Sequence, residues 1–280
     1  METLMTGLSF GESPRWHDGR LWFCDWGAEQ LIALDQKGKS EVVATVQSFP
    51  FSIDWLPDRR LLIVNSRDRL LLRQEPGGSL VPHADLGNLC EHGWNEIVVD
   101  GRGNAYVSSV GFDLMAGAQP AAGIVAIVAP DGSSRQVADG LAFPNGMAVT
   151  PDNAVLIVAE SYASRLTAFD IAADGSLSNR RTWAELGDGV PDGICLDAAG
   201  AAWYADVPNK RCVRVAEGGE VLQTVSLDRG CFACMLGGPD RTTLFLVARQ
   251  WHGTDISRGA GTGQIIATAA PARGAGWPAA

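Results

Sequence analysis

The sequence predicts an all-β protein, a six-bladed β-propeller with four-stranded blades, in which residues 1–280 form a single domain. Three observations carry that prediction. No long apolar pattern of period 3.6 appears, and short β-type runs divided by Asp-Gly, Pro-Asp and Gly-Gly turns dominate. One register recurs six times, from positions 12, 52, 95, 145, 192 and 233, at intervals of 40, 43, 50, 47 and 41 residues. A period of that size with four strands per unit is the signature of a propeller blade, and no sandwich or tandem β-domain explains it.

The first strand of each blade opens at the repeated segments Glu12–Trp16, Ser52–Leu56, Asn95–Val99, Asn145–Val149, Asp192–Leu196 and Ala233–Gly237. Turns follow, as in His17-Asp18-Gly19 and Pro151-Asp152-Asn153. Eleven positions after each start stands an apolar or aromatic residue: Phe23, Ile63, Tyr106, Leu156, Trp203 and Leu244, which mark the second strands. Third strands are read at Leu31–Leu34, Leu70–Arg73, Ile124–Ile127, Leu166–Phe169, Cys212–Val215 and Ile265–Thr268, and fourth strands at Glu41–Val46 and Glu220–Val225. Thr3–Leu8 occupies a fourth-strand slot ahead of the first repeat, so it is expected to close the ring on the last blade.

Composition narrows the partners. With 46% hydrophobic and 19% charged residues the chain is expected to fold rather than stay disordered. Twenty-two basic residues against 32 acidic ones give a net charge of −10, and no basic run offsets it. Nucleic acid and anionic membrane surfaces are therefore excluded as expected partners. Apolar runs such as Ile124–Pro130 are too short to span a bilayer. The opening METLMTGLSFGESP has neither a basic n-region nor an apolar h-region, so a cytoplasmic location and reduced thiols are expected for the six cysteines. Cys231 and Cys234 form the one C-x-x-C; without a second pair it does not suit zinc. In an extended strand the two thiols would point to opposite faces, as buried core residues.

In a propeller the innermost strands line the axis, so the first positions Glu12, Ser52, Asn95, Asn145, Asp192 and Ala233 are expected to converge on one ring. Two carboxylates and two carboxamides facing one axial point suit a single divalent cation, since burying carboxylates without a partner is costly. An all-oxygen set favours a hard ion, Ca2+, Mg2+ or Mn2+, over Zn2+. Taken singly, Asn145-Gly146 and Asp192-Gly193 also read as plain turns.

Gly11-Glu12-Ser13-Pro14, Pro144-Asn145-Gly146 and Pro191-Asp192-Gly193, in that order, resemble the metal-site motifs of the senescence marker protein 30/gluconolactonase/luciferin-regenerating enzyme family. The resemblance covers nearly the whole chain. It implies a divalent cation, calcium foremost, with zinc or magnesium also used in the family, held by Glu12, Asn145 and Asp192. Asn95 would lie beside it as ligand or substrate contact. It also implies a lactone or related ester as the small-molecule substrate, opened by metal-activated water with Asp192 as base or nucleophile. Related propellers hydrolyse phosphotriesters, which makes a phosphotriesterase the first rival. A non-catalytic binding propeller and a strictosidine-synthase-type propeller without the metal ring are the others. No Gly-x-Ser-x-Gly supports a serine hydrolase.

Two long connections on the metal side, Gly111–Ala122 and Gln250–Gly263, read as lids. Phe112 and Met115 in one, with Trp251 and His252 in the other, are expected to contact substrate. Sugar-lactone members of the family carry an arginine two residues before the equivalent of Asn95; this chain has Gly93 there, followed by Trp94. Trp94 is read as a further substrate contact, and the pocket as more apolar than a sugar site. His92 and His252 face the metal end in this reading, whereas His17 and His83 do not.

Overall fold

The computed structural model describes residues 1–278. The chain opens with β1 (Glu2–Leu8) and then lays down blade one: β2 (Gly11–His17), β3 (Arg20–Asp25), β4 (Gln30–Leu34) and β5 (Ser40–Thr45). Blade two is β6 (Phe51–Trp55), β7 (Leu61–Asn65), β8 (Leu70–Gln74) and β9 (Leu80–Asp85). Blade three is β10 (Ile97–Val99), β11 (Ala105–Ser109), β12 (Gly123–Val128) and β13 (Ser134–Leu141). Blade four is β14 (Pro144–Val149), β15 (Val155–Glu160), β16 (Arg165–Ile171) and β17 (Leu177–Glu185). Blade five is β18 (Pro191–Asp197), β19 (Ala202–Asp206), β20 (Arg211–Val215) and β21 (Val221–Ser226). Blade six is β22 (Gly230–Gly237), β23 (Thr243–Arg249) and β24 (Gly263–Ala269), and β25 (Gly274–Ala275) follows it. Within each sheet the strands meander antiparallel from first to fourth. Blade six takes its fourth strand from the chain start, where Glu2 pairs with Ala267 and Leu8 with Gly263. The six-bladed, four-stranded architecture and its closure by the N-terminal strand agree with the sequence reading.

The repeat succeeds because every second strand is sealed between two sheets. Phe23, Ile63, Tyr106, Leu156, Trp203 and Leu244 all lie on second strands and expose no surface. Packing between neighbouring sheets is the core of the molecule, and outer strands such as β5 and β21 leave Val42 and Val221 in solvent.

The inner strands carry a device that the alternating pattern does not announce. β2, β14, β18 and β22 each break register, between Glu12 and Arg15, Pro144 and Met147, Pro191 and Ile194, and Cys231 and Ala233. Bulges of this kind re-aim a side chain and bend the strand. In β2 the bulge is turned by Ser13, held at φ 49°. In β14 and β18 it falls on Asn145-Gly146 and Asp192-Gly193, which are therefore strand residues and not turns. Their glycines answer close approach. A Cβ on Gly146 would stand 2.5 Å from the Asp192 carbonyl oxygen, and one on Gly193 would stand 2.8 Å from Ala233 Cα. Blades four, five and six thus touch backbone to backbone at the axis.

The C-terminal tail closes the far end of the axis. β25 pairs with the end of β18 (Leu196 with Ala275), making that sheet five-stranded. Trp277 and Val149 then exchange backbone hydrogen bonds of 2.8 and 2.9 Å. The tail had no repeat pattern to reveal it. No helix among the described residues is long and apolar enough to cross a membrane.

Candidate active site

At the opposite end of the axis a cavity of about 790 Å³ opens over the starts of the inner strands. Glu12, Asn95, Asn145 and Asp192 all border it, from blades one, three, four and five. The bulges lie at Glu12, Asn145 and Asp192. Asn95 precedes β10 and is fixed through its backbone N–H, which donates to the Ser108 carbonyl at 2.7 Å. Its amide donates to Asn145 Oδ1 at 3.4 Å, and the Asn145 amide lies 3.3 Å from Ser161 Oγ. Ser161 donates in turn to the Pro191 carbonyl at 2.6 Å, tying blade four to the residue before Asp192. The Asn145 amide also lies near enough to the Asp192 carboxylate to favour its charged form. The sixfold ring is completed by Ser52, fully buried outside the cavity wall, and by the apolar Ala233.

Charge on the axis is unbalanced. Arg15 is buried beneath the cavity, with Nη2 donating to the Ile97 carbonyl at 2.6 Å and lying 3.4 Å from Glu96 Oε2. Its Nε is 3.9 Å from Asp54 Oδ1. That single cation is shared by Glu96 and Asp54, and Asp54 is still pushed up to about 6 by burial. Among the described residues no cationic side chain pairs with Glu12 or Asp192. Burial, then the charges of Asp192 and Glu96, raises Glu12 well above the usual carboxylate range. Burial, then Glu96, does the same to Asp192, opposed by the nearby Asn145 amide. Two acids held together without a cation are what a divalent ion resolves.

The donor chemistry fits such an ion, with one qualification to the expected axial metal. Among the described residues no group of three or more His, Cys, Asp or Glu side chains stands at metal-holding spacing. Carboxamide oxygens of Asn95 and Asn145 must therefore supply part of any coordination, which suits hard oxygen-seeking cations. The cysteines are free thiols. Cys231 and Cys234 are not separated by their strand as the extended reading expects. The bulge in β22 brings Cys231 and Cys234 both toward Cys212, and Cys234 Sγ lies 3.9 Å from Cys195 Sγ. They are buried core thiols, as predicted.

The long connections flank the cavity. Phe112, Asp113, Leu114 and Met115 border it from the β11–β12 loop, and Trp251, Gly253 and Thr254 from the β23–β24 loop. Met115 is 45% and Trp251 39% exposed at the rim, whereas Phe112 is buried. Trp94 borders the cavity but has no exposed surface; it packs in the core between blades two and three with Val64, Leu86 and Ile97. His92 borders the cavity, and His252 is exposed outside it. His17 stacks on Trp55 at 4.2 Å, far from the site as expected.

Much of the wall escaped the sequence reading: Phe10, Trp26, Phe49, Phe143, Tyr162 and Phe232. A signal existed for part of it. Residues two before the ring positions, Phe10, Pro50, Gly93, Phe143 and Val190, all border the cavity, so the repeat register already marked them.

A six-bladed propeller with unpaired axial carboxylates under an aromatic cavity defines the class of protein. The family model for the SMP-30/gluconolactonase/LRE-like region matches residues 10–250, and the chain belongs to that family. Regucalcin of Danio rerio is 31% identical over 160 residues, covering 55% of this chain and 54% of that protein. The chain thus spans about half the length of that relative. Regucalcin of Bos taurus is 25% identical over 245 residues, covering 84% of this chain and 82% of that protein. Among solved structures, a luciferin-regenerating enzyme superposes with a TM-score of 0.84 at 20% identity, covering 98% of this chain and 96% of that one. A gluconolactonase from Xanthomonas campestris superposes with a TM-score of 0.76 at 23% identity over 95% and 89% of the two chains. A calcium-binding regucalcin from Agrobacterium tumefaciens gives 0.79 at 21% identity over 98% and 94%. At these identities the superpositions show the shared fold.

Proposed function

We propose that the protein is a divalent-metal-dependent hydrolase that opens a lactone or related ester. The observation that carries the reading is the pair Glu12 and Asp192, drawn to one cavity floor from separate blades and left without a cationic partner. Family membership supports it, since relatives of the same fold include a gluconolactonase and a calcium-binding regucalcin. Glu12, Asn145, Asp192 and Asn95 would hold the cation, with Ca2+ first among Mg2+, Mn2+ and Zn2+. Bound there, the cation would supply Lewis acidity toward an ester carbonyl.

The residues themselves account for the rest. Asp192 would take the proton from an attacking water, or attack the carbonyl directly. In the first route water oxygen bonds to the carbonyl carbon, the ester C–O bond breaks, and the proton passes to the departing alkoxide. The product is a hydroxy acid. Asn145 would favour the charged form of Asp192, and Asn95 donates to Asn145 Oδ1. Ser161 links Asn145 to the Pro191 carbonyl, next to Asp192. The aromatic rim restricts water, which strengthens every polar contact on the floor.

A panel of lactones, aryl esters and phosphotriesters, assayed with Ca2+, Mg2+, Mn2+ or Zn2+ added, tests this reading. Hydrolysis of a lactone or ester in preference to phosphotriesters is expected. Phosphotriester turnover alone would transfer the site to the rival chemistry, and no turnover with any ion would leave a binding propeller.

A further inference from the structure

We propose that the substrate carries an aromatic ring beside its lactone or ester carbonyl, and that two facing aromatic walls recognise that ring. This inference rests on the hydrolase reading for the carbonyl, but its evidence is separate. The first wall joins Phe112, Phe143 and Tyr162, with ring centroids 4.6 to 6.2 Å apart. It rises from blades three and four. On the second wall Phe10 lies 5.0 Å from Trp26, 6.1 Å from Phe49 and 5.0 Å from Phe232, and Trp251 lies 5.5 Å from Phe232. That wall comes from blades six, one and two. Blades three and six, like one and four, are diametrically opposed in a six-membered ring, so the walls face each other above the polar floor.

The two walls themselves offer few partners for substrate hydroxyls, the polar side chains Arg67, Glu91, His92, Asp113 and Thr254 bordering the cavity beside them. Among the rings of the two walls, only Tyr162 carries a hydroxyl. Each substrate hydroxyl buried there without a partner costs about 1–3 kcal/mol. An added aromatic pair is worth about 0.5–1.5 kcal/mol beyond the area it buries. Gly93 supplies no side-chain donor to the cavity it borders, and a Cβ there would require the Ser66 hydroxyl to turn aside.

Phe143 adds a second, backbone-level observation. It is held at φ 60°, a region that bulky residues seldom occupy and that costs about 1–3 kcal/mol. The loop is fixed there by Ser161 N–H donating to the Phe143 carbonyl and Tyr162 N–H donating to the Ala142 carbonyl, both at 3.1 Å. The Ala142 N–H donates to Glu160 Oε2 at 2.7 Å. A glycine would relieve the strain. The chain instead keeps a ring at the position two residues before Asn145, where it packs at a tilt of 31° against Tyr162 at the cavity.

The test compares a phenyl-substituted butyrolactone with its methyl analogue, which have the same class of leaving group, and with gluconolactone, on protein supplied with divalent cation. A kcat/KM for the phenyl lactone about tenfold or more above both is expected, a difference of about 1.4 kcal/mol. Phe143→Ala should pull the phenyl-to-methyl ratio toward one. Phe143→Gly, which also removes the φ strain, serves if the alanine variant folds poorly. Equal values for phenyl and methyl lactones, or a preference for gluconolactone, would overturn the inference while leaving the hydrolase reading intact. Should no lactone be hydrolysed, the hydrolase reading fails by itself, and quenching of tryptophan fluorescence by the non-hydrolysable phenyl lactam decides the matter. Quenching by that lactam and not by a sugar lactam supports the aromatic site; no difference between them overturns it.

Discussion

Replacing Gly146 by alanine tests whether backbone contact at the axis sets the geometry of the site. The new Cβ would stand 2.5 Å from the Asp192 carbonyl oxygen, 2.6 Å from Ile194 N and 2.8 Å from Gly193 Cα. All three are backbone atoms, so no flexible side chain can swing aside. Ordinary contact begins near 3.4 Å, and the inner strands of blades four and five must part by roughly 0.9 Å to reach it. Such overpacking costs about 1–3 kcal/mol of stability. It also moves Asn145 away from Asp192, because each ligand residue adjoins the displaced backbone. A misplacement of about 1 Å at a reacting centre costs roughly 100-fold in rate. The control is Gly77→Ala, where nothing lies within 4 Å and the backbone is unstrained, with an effect within about 0.5 kcal/mol. Chemical denaturation gives the stability, calorimetric titration the cation affinity, and lactone hydrolysis the rate. A Gly146→Ala protein that matches wild type in both cation affinity and rate would refute the axial-contact reasoning.

Two further outcomes are expected. With the cation chelated, Glu12 and Asp192 carry raised folded-state pKa values, so their contribution to stability is complete below the unfolded carboxylate range near pH 4 and is lost as pH rises through the folded values. Chelated protein should thus be less stable at pH 8 than at pH 5, by about 1.4 kcal/mol per carboxyl for each pH unit between pH 5 and its folded value, and added cation should reduce that fall; a cation-independent profile would contradict it. Shortening residues 255–261 should change KM or substrate range and leave cation content intact, because cavity contacts in this loop come from Trp251, Gly253 and Thr254; lost cation would make the loop structural.

The fold was legible because a propeller repeats one burial problem six times. Every second-strand marker from Phe23 to Leu244 is sealed, and Thr3–Leu8 closes the ring as β1. The four oxygen-bearing ring positions could also be read, since register alone brings Glu12, Asn95, Asn145 and Asp192 together. The bulges could not. Period-two alternation places Cys231 and Cys234 on opposite faces, and one extra residue in β22 undoes that. Asn145-Gly146 looks like a turn locally because the cause of its glycine, the backbone of the next blade, lies over forty residues away. The aromatic walls were hidden for a similar reason. Register marks Phe10 and Phe143, but Phe49 and Phe232 are core-like residues in isolation, and only the ring arrangement turns them toward one cavity. The buried partnership of Arg15 with Glu96 and Asp54 spans three blades and leaves no local pattern.

The central claim is that Glu12 and Asp192 hold one divalent cation on which hydrolysis depends. It is tested most directly by titrating cation back into chelator-stripped protein while following lactone hydrolysis, in wild type, Glu12→Gln and Asp192→Ala. Loss of activity on stripping, recovery saturating at one cation per chain, and no recovery in either folded variant are predicted. Activity that survives chelation, or that persists in Asp192→Ala, would contradict the account.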